Sequence, residues 1–479
     1  MDFSNFLWMR DELSLLAIIL ILFLYDTFAT EKSRRAFSWV ACLLLAAQTA
    51  FLFFNPVTGE AFGGMYQTSS IINIVKIVLN IGTLLVLIQA NAWAKAPDMA
   101  IRRGEFYVLT LITLLGMYLM ISSGNFLLFF IGLEMASLPL TALVAIEKYH
   151  QLSYEAAAKY VFVALFSSSL MLLGISFLYG AVGTLYFADL PSLIHGTALQ
   201  QFAMVLFIAG IGFKMSLVPF HLWTADVYQG APTTVSAYLS VISKGAAAVA
   251  LAGILLHIFG PMKEDWGSAI ALLVIVTITI GNLMALLQQD MKRFMAFSSV
   301  SQAGYILLGV LAGSAQGMAS LLFYLTIYIV ANIGVFAVIG SIEQATDGQA
   351  LTRDNYRGLY KTNPRLTFLM TLCLFSLAGI PPFAGFFSKF FIFSAAFHSG
   401  WWITVFIALV NTVISLYYYL LVVKAMYIEE PEEGLSPVPT FRVQGTSRLC
   451  MAICLVGVCV LGLLSFIYEG MFHWADVLF

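Results

Sequence analysis

Long apolar stretches constrain this chain more than any other feature of its sequence. A helix needs roughly 20 apolar residues to cross the hydrocarbon core of a bilayer. With 61% hydrophobic and 10% charged residues, the 479-residue sequence predicts an all-α polytopic membrane protein with 14 transmembrane helices. The predicted spans are residues 12–29, 36–54, 69–91, 104–122, 125–146, 156–180, 203–229, 235–259, 267–287, 294–312, 317–341, 366–398, 402–427 and 448–468.

The basic residues predict which side of the membrane each loop faces. When the loops are joined alternately, seventeen Lys and Arg residues fall on one side, and only Arg10 and Lys263 fall on the other. Because positive charge accumulates on the cytoplasmic side, both termini are expected to face outward. The segment before the first span has no basic n-region, so we expect no cleavable signal peptide.

The sequence lacks the common motifs for binding nucleotides and iron–sulfur clusters. It has no Walker A pattern and no GxGxxG, which gives no sign of ATP or dinucleotide binding. No pair of cysteines forms CxxC, and all five lie in or beside apolar spans, a setting that favours core packing over an iron–sulfur site. We therefore expect no cofactor, no metal ion and no nucleic-acid partner for this chain. The cysteines are Cys42, Cys373, Cys450, Cys454 and Cys459.

Ionisable residues inside the predicted spans are the first candidates for function. A charge at the bilayer centre costs at least about 2.5–3.5 kcal/mol, and such residues usually face a bundle interior or water. Burial disfavours the charged form of a lysine and a nearby carboxylate favours it, so the two together can hold or release a proton. The candidates are Glu134, Lys214, Lys244 and Lys389, with Lys76 near the outer end of the third span.

The predicted topology orders these candidates by depth. Lys244 lies nearest the cytoplasm, Glu134 and Lys214 lie near the centre, and Lys389 lies in the outer half. This order predicts a ladder of titratable groups across the membrane. Structural ion pairs that join helices are the alternative for Glu134 with Lys214, and snorkelling to the interface is at least as plausible as function for Lys76.

Prolines are predicted to interrupt two of the spans. Pro219 interrupts the seventh span, and the pair Pro381 and Pro382 interrupts the twelfth. Proline removes a helical hydrogen bond, and broken backbone at membrane depth is tolerated only where protein or water satisfies it. Interrupted helices in corresponding positions of two halves indicate a transport site, although a proline kink that only shapes packing is the alternative.

The two interruptions lie five spans apart and therefore run in opposite directions through the membrane. This offset predicts two inverted repeats, spans 4–8 and spans 9–13. The expected domains are an N-terminal three-helix region at 1–103, a first repeat at 104–260, a second repeat at 261–427, and a loop with the last span at 428–479.

Three motifs give this chain a specific family resemblance. "FKMSLVPFHLWTADVYQGAPT", "DMKRFMAFSSVSQAGYILLG" and "GIPPFAGFFSK" resemble the signatures of the antiporter-like subunits of respiratory complex I and of Mrp-type cation/proton antiporters. "FIGLEMASLPLTALVA" and a lysine at 389 are similar to the N-type subunit of complex I. The resemblance covers at least spans 5 to 12.

The resemblance implies a role for each candidate residue. Glu134 matches a glutamate that modulates the seventh-span lysine, here Lys214, while Lys244 matches the connecting lysine. Lys389 matches the lysine associated with exchange to the far side. Gln302 stands where many relatives have histidine, so a relay there would have to use water. His221 is either a relay residue or a helix-end histidine with local hydrogen bonds.

The resemblance also implies the activity and its partners. We expect a proton-translocating subunit of an NADH:quinone oxidoreductase in the bacterial plasma membrane, with no redox centre of its own. Flavin, iron–sulfur clusters and quinone would belong to other subunits, and K-type and M-type subunits would be its neighbours in the bilayer. The alternatives are a subunit of an Mrp-type antiporter or membrane-bound hydrogenase, and a scaffold that transports nothing.

Overall fold

A computed structural model describes residues 4–30, 36–96, 99–148, 150–349, 351–430 and 438–476. The basic residues Lys32, Arg34 and Arg35, counted on the cytoplasmic side, lie outside these ranges, as does part of the predicted 428–447 loop. Eleven helices in the described part are long and apolar enough to cross a membrane. The count of 14 spans stays a prediction.

The first part of the chain is helical apart from one short hairpin. Strands β1 (Gly59–Ala61) and β2 (Tyr66–Thr68) pair antiparallel. The helices before the first interruption are α1 (Ser4–Trp8), α2 (Arg10–Phe28), α3 (Phe37–Phe54), α4 (Ser70–Trp93), α5 (Arg103–Ile121), α6 (Phe126–Val144), α7 (Gln151–Val182), α8 (Leu190–Leu193) and α9 (Ala198–Met215).

The middle of the chain contains the first interruption and an irregular helix after it. The stretch 233–258 alternates α-helical and π-helical turns, with π-helical turns at Leu239–Ser243 and Ile254–Ile258. A 3₁₀ turn, Gly260–Met262, precedes the next long helix. The helices are α10 (Leu222–Gly230), α11 (Thr233–Tyr238), α12 (Lys244–Gly253), α13 (Lys263–Leu286), α14 (Met291–Ala312) and α15 (Ala315–Ala345).

The last part of the chain contains the second interruption. A 3₁₀ turn, Arg353–Tyr356, precedes it. The helices are α16 (Leu359–Thr362), α17 (Pro364–Ala378), α18 (Ala384–His398), α19 (Trp402–Tyr427), α20 (Gly445–Val460) and α21 (Ser465–Asp476). The predicted span at 448–468 covers parts of two helices, because α20 ends at Val460 and α21 begins at Ser465. Gly462 lies between them, where an added Cβ would come 2.6 Å from the Cα of Ala384.

Both predicted interruptions are present. The seventh span divides into α9 and α10, with Pro219 between them, and the twelfth divides into α17 and α18, with Pro381 and Pro382 between them. Ser216 ends α9 in a left-handed conformation, at φ 59°. Gly379 ends α17 in the same way, at φ 87°. The inverted relation of the repeats stays a prediction.

The described residues form two compact units. The first comprises residues within 1–87, 95–216 and 242–270, and the second comprises residues within 88–94, 217–241 and 271–479. These units are discontinuous along the chain, and the predicted domain boundaries stay predictions. In the second unit, α14 and α15 form the interior, because 100% and 94% of the residues in their most apolar stretches are buried.

Candidate functional site

Lys214 lies in the last turn of α9, immediately before the first interruption. The helix begins with a capping box in which Thr197 and Gln200 bond each other's backbone N–H, and it ends at Met215. Lys214 is 4% exposed.

The Lys214 ammonium donates to two uncharged oxygen atoms of α6. Its Nζ lies 3.1 Å from the carbonyl oxygen of Ala136 and 2.8 Å from the hydroxyl oxygen of Ser137. Pro139 lies within this helix and deprives the preceding turn of one backbone donor. Lys214 thus supplies hydrogen bonds to the stretch of helix that the proline disturbs.

Glu134 lies one turn before these contacts on the same helix. Its carboxylate is near enough for its charge to act on Lys214 and on the buried hydroxyl of Tyr160. Its Oε1 atom is buried and has no hydrogen-bond partner in the described part of the chain. The two groups are therefore neighbours, as predicted, but Lys214 is hydrogen-bonded to the polar atoms of α6 instead of the carboxylate.

Two glycines bring α6 against α5. A Cβ on Gly116 would lie 2.4 Å from the backbone nitrogen of Ala136, and one on Gly132 would lie 2.4 Å from that of Met120. Only residues without a side chain permit this approach of backbones. The packing holds the turn that carries Glu134 and Ala136 in a fixed place.

Lys244 is the first residue of α12 and follows the π-helical turn Leu239–Ser243. It is 2% exposed. Its helix packs against α5 and α9, so the first unit brings the helices of Lys214 and Lys244 into contact. Single π-helical turns inside α-helices are frequent at functional sites.

Lys389 lies on α18, just after the second interruption, and is 4% exposed. Its Nζ donates to the carbonyl oxygen of Ala378 at 3.0 Å. Ala378 is the last residue of α17, where carbonyl groups have no partner within the helix. The ammonium also lies 4.9 Å from the ring centroid of Tyr305, a cation–π arrangement.

Gly385 sets the distance between the two half-helices α17 and α18. A Cβ at this position would lie 1.7 Å from the backbone oxygen of Ser376. This distance is a steric overlap, so no side chain fits here unless the backbone moves. Its own N–H donates to the hydroxyl of Ser376 at 3.1 Å. The interruption is therefore a tight corner in which Lys389 closes the end of α17.

Gln302 and Lys389 line the same small cavity. Its water-accessible volume is about 10 Å³, near the minimum that holds one water molecule. The Gln302 amide donates to Tyr419 at 3.2 Å and to the carbonyl of Leu377 at 3.4 Å, and its oxygen accepts from the hydroxyl of Tyr324. Sequence reasoning missed both tyrosines, because aromatic residues in apolar spans have no distinguishing pattern.

His221 is the residue before α10 and is 8% exposed. Its ring centroid lies 6.4 Å from that of Phe297 on α14. It belongs to the second unit, as Gln302 and Lys389 do, whereas Glu134, Lys214 and Lys244 belong to the first. The position at a helix start agrees with the helix-end interpretation and leaves the relay role a prediction.

The snorkelling interpretation of Lys76 is wrong, because the side chain is buried and paired with two acids. The lysine is 0% exposed, and its Nζ lies 2.7 Å from Glu12 Oε1 and 3.4 Å from Asp11 Oδ2. The two acids come from the first turn of α2. Sequence position alone placed them at the end of a span, where a solvated charge costs little.

Lys292 is a fifth buried lysine, and the sequence interpretation assigned it to the cytoplasmic side. It lies at the start of α14, is 4% exposed and pairs with Glu343 at 3.0 Å. It also donates to the carbonyl of Ala231 at 3.1 Å. Its place within the motif "DMKRF" was the available signal. Among the described residues, no group of three or more His, Cys, Asp or Glu is placed to hold a metal ion.

Comparison with known proteins identifies the family to which this sequence belongs. Residues 123–415 match the family described as "NADH:quinone oxidoreductase/Mrp antiporter, TM". The chain is 56% identical over 470 residues to NADH-quinone oxidoreductase subunit N of Phocaeicola vulgatus, with 98% of each chain covered. It is 51% identical over 471 residues to the protein of that name from Azobacteroides pseudotrichonymphae, again with 98% of each covered.

Solved structures agree on the fold. A chain of respiratory complex I from Thermus thermophilus with bound aureothin superposes with a TM-score of 0.81 at 31% identity, covering 96% of this chain and 99% of that one. A chain of the Mrp complex from Dietzia superposes with a TM-score of 0.84 at 22% identity, covering 100% and 97%. At that identity the second likeness concerns the fold alone.

Proposed function

Since the chain belongs to the NADH:quinone oxidoreductase/Mrp antiporter transmembrane family and is an antiporter-like membrane subunit of respiratory complex I, we propose that it translocates protons. The proposed path uses the buried groups Lys244, Lys214 with Glu134, and Lys389. Redox chemistry in other subunits would drive it, so this chain would act as part of a translocase.

One observation carries the proposal. Lys214 is buried, but its ammonium is held by a carbonyl and a hydroxyl rather than locked to a carboxylate. A lysine in such a place can lose its proton without leaving an ion-paired carboxylate bare, since both of its partners are neutral. Glu134 stands close enough to change the balance when its own charge or position changes. Buried titratable groups placed next to one another are candidates for proton transfer.

The other residues receive roles that fit their places. Lys244 would connect the first lysine to the rest of the path. Lys389 would exchange protons with the outer side. Gln302 would order water beside Lys389, because its amide lines the same cavity. His221 would take part only as a secondary group.

The proposal extends to the surroundings of the chain. Flavin, iron–sulfur clusters and quinone would be bound by other subunits, and this chain would carry no cofactor or metal. Other complex I membrane subunits are its partners, with K-type and M-type subunits as the proposed neighbours. We place it in the bacterial plasma membrane with both termini on the outer side.

The motifs alone leave a subunit of an Mrp-type antiporter or membrane-bound hydrogenase open, and a chain of an Mrp complex has the same fold. Purification of the native complex tests the assignment to complex I. Flavin and iron–sulfur subunits with NADH oxidation in the purified material support complex I. Their absence from an intact complex with cation-dependent proton exchange would support the antiporter.

The test of transport is Lys214→Arg. Arginine keeps the charge but does not release its proton in a protein, so we expect the complex to assemble while proton uptake per NADH oxidised falls severely in reconstituted vesicles. Lys148→Arg is the matched control, because Lys148 is exposed. Normal pumping by an assembled Lys214→Arg complex would contradict the proposal and favour a scaffold.

A further inference from the structure

A second group of buried charges lies outside the proposed path, where α2, α4 and the hairpin meet. Lys76 is placed 2.7 Å from Glu12 Oε1 and 3.4 Å from Asp11 Oδ2, and the three side chains are 0%, 3% and 2% exposed. This ion cluster (Asp11, Glu12 and Lys76) falls in the 1–103 region, which precedes both predicted repeats.

The two carboxylates of the ion cluster are bound very differently. Glu12 accepts from the Tyr66 hydroxyl at 2.8 Å and from the Ser122 hydroxyl at 3.4 Å, besides its short contact with Lys76. Asp11 reaches Lys76 only through Oδ2. Its Oδ1 atom is buried without a hydrogen-bond partner in the described ranges. Glu12 is therefore the ionic partner of the lysine, and Asp11 is the poorly compensated acid.

Counting charges makes the imbalance plain. Two carboxylates face one ammonium, so the ion cluster would carry one net negative charge in a buried place if both acids were ionised. In the described part of the chain, the other nearby cation is Arg10, which donates to the backbone oxygens of Asn55 and Pro56 in an exposed setting. The remaining titratable neighbours among the described residues are the hydroxyls of Tyr66 and Tyr118, whose rings flank the lysine. An uncompensated buried charge costs several kcal/mol, and a group so placed usually neutralises instead.

We propose that Asp11 is a proton-binding site, holding one proton next to the Lys76–Glu12 pair. A metal cation is the less suitable ligand, because the lysine ammonium already occupies the position between the two carboxylates. Protonation removes the surplus charge and leaves the well-bonded pair intact. The site also adjoins a chain of buried amides and a phenol, in which Tyr118 donates to Asn80 at 2.5 Å and Asn80 donates to Gln48 at 2.5 Å.

The test compares Asp11→Asn with Glu12→Gln in the purified complex. Asparagine has the shape and charge of a protonated aspartic acid, so Asp11→Asn should assemble and unfold at the temperature of the unsubstituted complex. Glu12→Gln removes the main partner of Lys76 and should lower the unfolding temperature and the yield of complex. Equal loss in both variants, or failure of Asp11→Asn to assemble, would overturn the proposal, because Asp11 would then be a needed anion.

Infrared spectroscopy gives the direct measurement. The unsubstituted complex should show a protonated-carboxyl C=O band that shifts in D2O, disappears in Asp11→Asn and persists in Glu105→Gln, whose carboxyl is exposed. An unchanged band in Asp11→Asn would contradict the assignment. So would stabilisation by added Na⁺ that Asp11→Asn abolishes, since the ligand would then be a metal cation. The unfolding temperature and the infrared band do not depend on pumping. This proposal can therefore fail while the proposed proton transport holds, and the reverse is also true.

Discussion

The two interruptions place the same side chain in different chemical surroundings. At the first, Lys214 precedes the break and reaches across to α6, with the carboxylate of Glu134 nearby. At the second, Lys389 follows the break, binds the end of its own partner half-helix at Ala378 and lies on the ring of Tyr305.

These surroundings suit the two lysines to different steps of the proposed transfer. Lys214 has an acidic neighbour, Glu134. The Glu134 carboxylate favours the charged lysine when it is ionised and no longer does so when it is neutral. Lys389 is stabilised by a helix end and an aromatic face, which offer fixed electrostatic support. We therefore expect the first site to be adjustable and the second to depend on the exact shape of the corner.

Gly385→Ala should have the largest effect, and it acts on the second interruption. The new Cβ would meet the backbone of Ser376, so α17 and α18 must separate and Lys389 must lose Ala378. We expect destabilisation of about 1–3 kcal/mol and loss of most pumping, measured by thermal unfolding and proton uptake in vesicles. Gly180→Ala is the control, because a Cβ there meets nothing within 4 Å. If Gly385→Ala behaves like Gly180→Ala, the corner does not hold the site.

Glu134→Gln should affect the first site alone. It removes the charge that acts on Lys214 and leaves the hydrogen bonds to Ala136 and Ser137 in place, so we expect slower pumping with normal assembly. Glu105→Gln, an exposed carboxylate on α5, should leave the proton yield per NADH unchanged. Equal yields from the two variants would show that Lys214 needs no acidic neighbour.

Gln302 substitutions should have the smallest effects. They test whether Gln302 takes part in proton transfer at the second site. Gln302→Leu loses the bonds to Tyr419 and Tyr324 and cannot order water, so proton uptake should fall. Gln302→His restores a group that titrates near neutral pH and should keep more activity than leucine. The ratio of the two initial pumping rates decides this point, and a ratio near one would remove Gln302 from the path.

The sequence predicted some of these features because each has a direct local cause. Proline removes a helical hydrogen bond, so both interruptions were predicted at Pro219 and at Pro381 and Pro382, although helix α6 continues through Pro139. Buried lysines were likewise visible as charges in spans. Their importance followed from the high cost of an isolated charge in lipid.

Other features depend on contacts between residues far apart in the chain, and local patterns cannot give them. The acceptor for Lys214 is a carbonyl, and every residue has one, so nothing in the sequence marks Ala136. The snorkelling interpretation of Lys76 failed because Asp11 and Glu12 approach it only after α2 packs. Gly462, between α20 and α21, approaches Ala384 closely, a contact that hydrophobicity does not record.

Lys214→Ala tests whether proton transfer passes through Lys214. Alanine removes the proton carrier and leaves a residue that any helix accepts, so assembly checked by subunit composition should be normal. The measurement is proton uptake per NADH oxidised in reconstituted vesicles, alongside Lys148→Ala as an exposed-lysine control. We predict a large loss of uptake in Lys214→Ala alone. Normal uptake in an assembled Lys214→Ala complex would contradict the account and leave the lysine a structural residue.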